Sequence, residues 1–324
     1  MAATSAIDKS GKIHRSYQQK LLDSFLILFM VAMSAYFALA SKYFLSIKNF
    51  MNIFSSVSIV GIIATGMTLI IITRGIDLSV GAIIALSGCI CALLIEKAHL
   101  HWSLAMLAAL ASGLAIGMFN GFLITRFRVL PFIATLGAMN MVRGLAFIST
   151  NGQAIYTSSP QVSFLGAGKV FGLIPVPGII MMACFLGIWL LSKYTVFGRY
   201  VFAIGGNAVA SRLAGINVKR ITLTLYTMTG TLAALSGLVM TGLASTAMPS
   251  VGESYALDTI TAVYLGGNSS EGGEGSVWRT LLGVMIIGIL NNGMALISVQ
   301  SYWQTFIKGT LLIAAVTIDV LRKR

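Results

Sequence analysis

Long apolar runs almost free of charge decide what this chain can fold into. Crossing about 30 Å of hydrocarbon takes a helix of ~20 residues. Scanned at that length, the sequence offers ten segments: 24–40, 51–73, 78–95, 102–124, 130–150, 176–192, 221–242, 255–265, 277–299 and 304–320. Backbone N–H and C=O groups cannot be left open in lipid, so these segments are predicted to be helices that close their own hydrogen bonds. The eighth, 255–265, is short for a span; it is counted as one here, with a half-helix as the alternative. Only 10% of the residues are charged against 57% hydrophobic, too few charges to cover a soluble surface, so lipid is the expected solvent for most of the exterior. The predicted fold is an all-α integral membrane protein with about ten transmembrane helices. Residues 24–320 form a single transmembrane domain, with tails at 1–23 and 321–324 and a long connecting loop at 193–220.

The placement of the charges says more than their sum of +13. No Lys/Arg-rich recognition helix with interleaved aromatics is present, so nucleic acid is not an expected partner. Ten spans put both termini on one side. With that side cytoplasmic, 16 of the 22 basic residues fall inside, among them Arg74, Lys193, Arg199, Arg212, Lys219 and Arg220. The outer loops receive only Lys42, Lys48, Lys97 and Lys169. Such a bias sets orientation, and a multi-pass membrane protein with both termini cytoplasmic is expected. The basic start, the first apolar run and Ala38-Leu39-Ala40 also fit a cleaved signal peptide. An uncleaved first span is the preferred expectation, and residue 41 emerges outside on either reading.

Catalytic chemistry is hard to find. The Gly-rich run Gly266-Gly-Asn-Ser-Ser-Glu-Gly-Gly-Glu-Gly275 lacks the lysine of a phosphate-binding loop and carries two acids that repel phosphate. His99 and His101 lie at segment ends, and Cys89, Cys91 and Cys184 lie in apolar runs that read as packing positions. No metal and no cofactor is therefore expected on this chain, and no enzymatic activity. Acidic residues fall in tails, loops or near span ends, which disfavours a proton relay. The deep polar residues are amides, Asn120, Asn140, Asn291 and Asn292. They are the candidate lining of a path for a neutral, hydroxyl-rich solute. An ion-coupled secondary transporter is the rival class.

Two segments between spans stand out. Residues 151–175 form a Gly- and Pro-containing loop long enough to cover a pathway mouth. Within 193–220, the run Asn207-Ala-Val-Ala-Ser-Arg-Leu-Ala214 is predicted to form a short helix, with Asn207 as N-cap and Gly215 as C′ residue. A helix that short is marginal alone and needs a partner surface.

Specific strings carry a resemblance. Gly75-Ile-Asp-Leu-Ser-Val-Gly81 followed by Ala85-Leu-Ser-Gly88 resembles a signature of the permease subunits of ribose-type ABC monosaccharide importers. So do Gly205-Gly-Asn207 with Leu213-Ala-Gly-Ile-Asn-Val-Lys-Arg220, Leu265-Gly-Gly267 with Leu290-Asn-Asn-Gly293, and Trp303-Gln304 with Lys308-Gly309. The resemblance implies a permease that pairs with a second copy around a central channel. Separate ABC ATPase subunits would drive it, and an extracytoplasmic sugar-binding protein would deliver a monosaccharide. It maps the ATPase-coupling helix onto 206–216, with Gly206, Asn207, Ala210, Leu213 and Gly215 as contact or turn residues. Two departures stand against it: Ser254-Tyr255-Ala256 where the family usually has Gly-Tyr-Glu, and Glu274 where it has Lys or Arg. They leave a nucleoside or other small non-sugar solute open as the cargo.

Overall fold

The computed structural model describes residue 24 and residues 26–321. The predicted tail at 1–23 and residues 322–324 lie outside that set. In chain order come α1 (Leu26–Ala40), α2 (Ile47–Ile72), α3 (Val80–Glu96), α4 (Trp102–Arg126) and α5 (Pro131–Thr150). Next is a segment of short elements: β1 (Ile155–Tyr156), α6 (Pro160–Ala167), β2 (Lys169–Val170) and β3 (Ile174–Pro175). Then follow α7 (Val176–Tyr194), α8 (Val196–Gly206), α9 (Ala208–Leu213), α10 (Val218–Ala244), β4 (Thr246–Ala247), α11 (Tyr255–Leu265), α12 (Val277–Leu296) and α13 (Ser301–Leu321).

Each of the ten predicted apolar segments lies on one of these helices. Among the described residues, seven helices are long and apolar enough to cross a membrane: α2, α4, α5, α7, α10, α12 and α13. α1, α3 and α8 are shorter apolar helices. α11, with 11 residues, is about 16 Å long at 1.5 Å per residue, roughly half a bilayer core. That length is compatible with both readings of the segment, a short span and a half-helix. The helix starts follow local chemistry. Ser46 and Ser276 accept hydrogen bonds from the backbone N–H of Asn49 and Arg279, and prolines open α5, α6 and α7, where no helical donor is lost.

Residues 193–220 are mostly helical, not an open loop. α8 buries Gly198, Val201, Ile204 and Gly205, one stripe of a short helix. Residues 151–175 are likewise structured. β1 pairs antiparallel with β4, Ile155 opposite Ala247 and Tyr156 opposite Thr246, tying the segment to the end of α10. β2 and β3 form a small hairpin.

The core is built around α2, in which every residue from Val57 to Ile72 is buried. α10 crosses α4 through glycines. A Cβ on Gly113 would come within 2.3 Å of the Gly230 carbonyl oxygen, and one on Gly117 within 2.3 Å of that of Tyr226. Small residues at such crossings let backbones approach, the usual packing device in lipid.

One ion pair joins two helices inside the bundle. Lys308 of α13 donates to Asp258 in the first turn of α11 at 3.0 Å, and both side chains are largely shielded. The sequence put Asp258 near a span end, where water was expected to meet it; in the structure it is buried. Arg143 of α5 donates to the carbonyls of Pro249 and Val251.

Breaking a shielded pair strands one charge, at a cost of about 3–5 kcal/mol. Lys308→Met should therefore lower the apparent melting temperature of the detergent-purified protein, and adding Asp258→Asn should restore most of the loss. Equal melting of the single and double variants would show that the pair is not what holds α11 to α13.

Candidate coupling site and polar groups of the bundle

The predicted short helix is α9, and its ends are built as the sequence suggested. The Asn207 side chain accepts from the backbone N–H of Val209 and Ala210, both at 3.0 Å. At the other end Gly215 N–H donates to the Arg212 carbonyl and Ile216 N–H to that of Ser211, a paired closure that needs a left-handed residue between them. Gly215 supplies it with φ of +84°.

A helix of 6 residues is held by its seat more than by propensity. Ser211 faces the protein and is buried, whereas Gly206, Asn207, Ala210, Leu213 and Gly215 are exposed. Val209 and Leu213, one turn apart on the same face, are 67% and 85% exposed. Two bare aliphatic side chains beside Arg212, Lys219 and Arg220 make a small apolar knob in a basic surround. That suits insertion into a cleft of another protein.

The seat is rigid. α2 ends in the same paired closure, with Arg74 in the left-handed position at φ of +63°. From there the Arg74 guanidinium reaches across to the end of α8, Nε donating to the Gly205 carbonyl at 3.0 Å and an Nη to that of Gly206 at 3.1 Å. Gly205 lies so close to α2 that a Cβ would sit 1.9 Å from the Ile72 carbonyl oxygen. That same oxygen accepts from Gly273 N–H at 2.9 Å. The Gly-rich loop 266–275 is thus packed into the junction. Asn268 ties it further, its Nδ2 donating to Thr280 and its Oδ1 accepting from Ser276 N–H, while Thr280 meets Thr68 of α2 at 2.7 Å.

The turn after Arg74 carries a second buried polar group. Asp77 accepts from the backbone N–H and hydroxyl of Ser79, and Asn120 Nδ2 donates to that hydroxyl at 2.8 Å. Tyr226 donates to the Ile76 carbonyl. Asp77 has no exposed surface. Burial pushes its carboxyl from the ordinary 3.8 up to about 6, with the Ser79 bonds pulling the other way.

The four candidate pathway amides sit in different surroundings. Asn120 is fully buried against Ser79. Asn292 exchanges two 2.9 Å bonds with Asn49, joining α12 to α2. Asn291 is half-buried, and its Oδ1 has no partner among the described residues. Asn140 is exposed on α5, with Nδ2 reaching only the Leu136 carbonyl of its own helix. The arrangement around Arg74 and the Asp258–Lys308 pair were not visible as sites in the sequence. Arg74 lies 131 residues from Gly205 and Lys308 lies 50 from Asp258, so no local pattern joins them.

A multi-pass helical bundle with a short, capped and exposed helix between α8 and α10 is compatible with a membrane permease subunit. Comparison with protein families matches residues 49–316 to the family described as branched-chain amino acid transport system / permease component, and the chain belongs to that family. Similar proteins include the ribose import permease protein of Escherichia coli (strain K12), 40% identical over 306 residues that make up 93% of each chain. That of Bacillus subtilis (strain 168) is 42% identical over 309 residues, 95% of each chain. The D-allose transport system permease protein of E. coli (strain K12) is 36% identical over 284 residues, 88% of this chain and 87% of that one. No solved structure matches.

Asp77 makes stability depend on pH with a definite sign. Its folded-state pKa is raised, so the protonated form's contribution is full below about 4 and is lost as pH rises through about 6. Between pH 5 and pH 8 the part still to be lost is on the order of 1 kcal/mol. Wild type should melt at a lower temperature at pH 8 than at pH 5. Asp77→Asn, which keeps an acceptor for Ser79 without a charge, should flatten that dependence. A variant with the wild-type slope would remove Asp77 as its source.

Proposed function

We propose that this chain is the pore-forming permease subunit of an ABC importer that brings a ribose-like monosaccharide across the cytoplasmic membrane, with ATP hydrolysis carried out by a separate subunit. The carrying observation is α9. A capped helix with two exposed aliphatic side chains, seated by Arg74 on the end of a central helix, is suited to receive motion from a motor protein. The names of the similar permeases, ribose and D-allose, support the cargo class.

The rest of the reading follows from charge and exposure. Ten crossings, with α1, α3 and α11 completing the bundle beside the seven longer helices, put both termini in the cytoplasm and α9 among cytoplasmic Arg and Lys residues. α13 has no buried residue. α5 shows Asn140 on an open face where nothing lies within 4 Å of a Cβ built on Gly137 or Gly144. An amide turned toward lipid is unfavourable, so that face is read as lining the path between this chain and a second copy. An extracytoplasmic binding protein would deliver sugar on the side of β1–β4 and α6.

Two experiments test this. With the chain co-reconstituted with its ATPase and binding protein, ATP-dependent uptake from a panel of labelled ribose, allose, arabinose and nucleosides should favour a pentose or hexose. Uptake of nucleosides alone, or uptake driven by an ion gradient without ATPase, would overturn the assignment. Leu213→Asp places a charge on the apolar knob, and loss of a contact of this kind costs ~2 kcal/mol or more. Uptake should fall at least tenfold with the protein still present in the membrane. Unimpaired uptake would remove α9 from the coupling path.

A further inference from the structure

One cavity has no role in this account. It has a volume of about 310 Å³ and lies at the N-terminal end of α2, opposite the end that carries Arg74. Lys48, Asn52 and Ser55 reach it from α2, Lys169 from β2, and Leu173 and Leu243 add apolar wall. The α2 residues are spaced 48, 52, 55, the rhythm of one helical face. About 10 Å of that face, at 1.5 Å per residue, runs from Lys48 down to Ser55.

The polar side chains of this cavity are open to solvent: Lys48, Asn52 and Lys169 are exposed and Ser55 is half-buried. Neither ammonium group has a carboxylate partner among the described residues, and the Asn52 amide and Ser55 hydroxyl make no side-chain hydrogen bond there. No acid lines the cavity. Two cations and two neutral donors converging on one space, at the positive end of a 26-residue helix, call for an anion with several acceptor oxygens. The placement of the lysines sharpens this. Only Lys42, Lys48, Lys97 and Lys169 were assigned to the outer side, and two of those four border this cavity.

The surroundings identify the carrier of the anion. The β2–β3 hairpin beside the cavity turns at Phe171 and Gly172, both in the left-handed region. Phe171 is 95% exposed, and Leu173 and Ile174 are also exposed. An apolar tip next to lysines is the pattern of a segment resting in a membrane interface, apolar side chains among acyl chains and ammonium groups at the phosphates. We infer that the cavity bounded by Lys48, Asn52, Ser55 and Lys169 binds the phosphate of an anionic phospholipid, with Leu173 and Leu243 against the first part of its acyl chains. The proposed orientation enters only in naming the outer leaflet as the source; the site itself does not depend on the cargo or on the motor.

The test uses the full chain in detergent, titrated with short-chain phosphatidylglycerol, phosphatidylcholine or inorganic phosphate, with melting temperature as the readout. Phosphatidylglycerol should raise it by several degrees and phosphatidylcholine should not. Lys48→Gln/Lys169→Gln should abolish the rise, and Lys42→Gln/Lys97→Gln, a pair of outer lysines away from the cavity, should keep it. Asn52→Ala is the second variant, expected to weaken phosphatidylglycerol binding at least threefold should the double lysine variant fail to fold. An equal rise with inorganic phosphate would overturn the lipid assignment. Equal loss in the control pair would reduce the effect to diffuse surface charge and overturn the site. Unchanged lipid response in the cavity variants, with loss only of binding-protein-stimulated uptake, would give these lysines to a protein partner and overturn it as well.

Discussion

α2 holds an unusual position for a membrane helix, because from Val57 to Ile72 it has no face left for lipid. A helix hydrophobic all round is stable only when other elements surround it, and here α10, α7, α12 and α11 do so. The consequence lies at its ends. A helix packed on every side cannot tilt or slide without disturbing all its neighbours, since close-packed interiors transmit strain instead of absorbing it. Whatever is fastened to either end of α2 is therefore fastened to the whole bundle. At the C-terminal end the fastening is Arg74, with its two bonds to the carbonyls of Gly205 and Gly206, and the Ile72 carbonyl held by Gly273.

That junction explains why three glycines from distant parts of the chain meet. Gly205, Gly272 and Gly273 lie where α2, α8 and the Gly-rich loop would otherwise collide, the latter two at positive φ. Side chains there would push the elements apart by ångströms, and the guanidinium of Arg74 would no longer span the gap. The loop that lacks a phosphate-binding lysine thus has a mechanical place in the structure. Its far side reaches α13 through Ser270, whose N–H and hydroxyl both donate to Asp319. Through this loop the junction at the end of α2 is joined to α13 as well.

Much of this was legible in the sequence, for physical reasons. Ten apolar runs almost free of charge foretell helices because lipid forbids any other local solution. The two ends of α9 were legible because capping is a local contract: Asn207 bonds to residues two and three positions away, and Gly215 serves its own turn. Structure made by meetings between distant segments stayed hidden. α8 is too short for hydropathy to separate it from a loop. Asp258 looked like an end-of-span acid because its partner Lys308 is on another helix. Asn120, grouped with three other amides as a pathway residue, has Ser79 as its observed partner. A deep amide in a sequence carries no label that tells a packing contact from a path lining.

One departure from the family pattern can be followed into the structure. Ala256, where an acid is usual, is buried, and its backbone N lies near Gly81 at the crossing of α3 with the 249–254 connection. A carboxylate there would be shielded from water without an obvious cation. The chain instead carries Glu253 three positions earlier, close enough to interact electrostatically with Arg143, whose guanidinium already binds the neighbouring carbonyls of Pro249 and Val251. The arginine on α5 thus has an acid close by on the same connection. Because α5 also presents Asn140 on its open face, the lack of a carboxylate at 256 changes the charge pattern near the proposed path while leaving the helix packing intact. A difference of that kind would bear on which solute passes, and it gives no reason to expect a different fold.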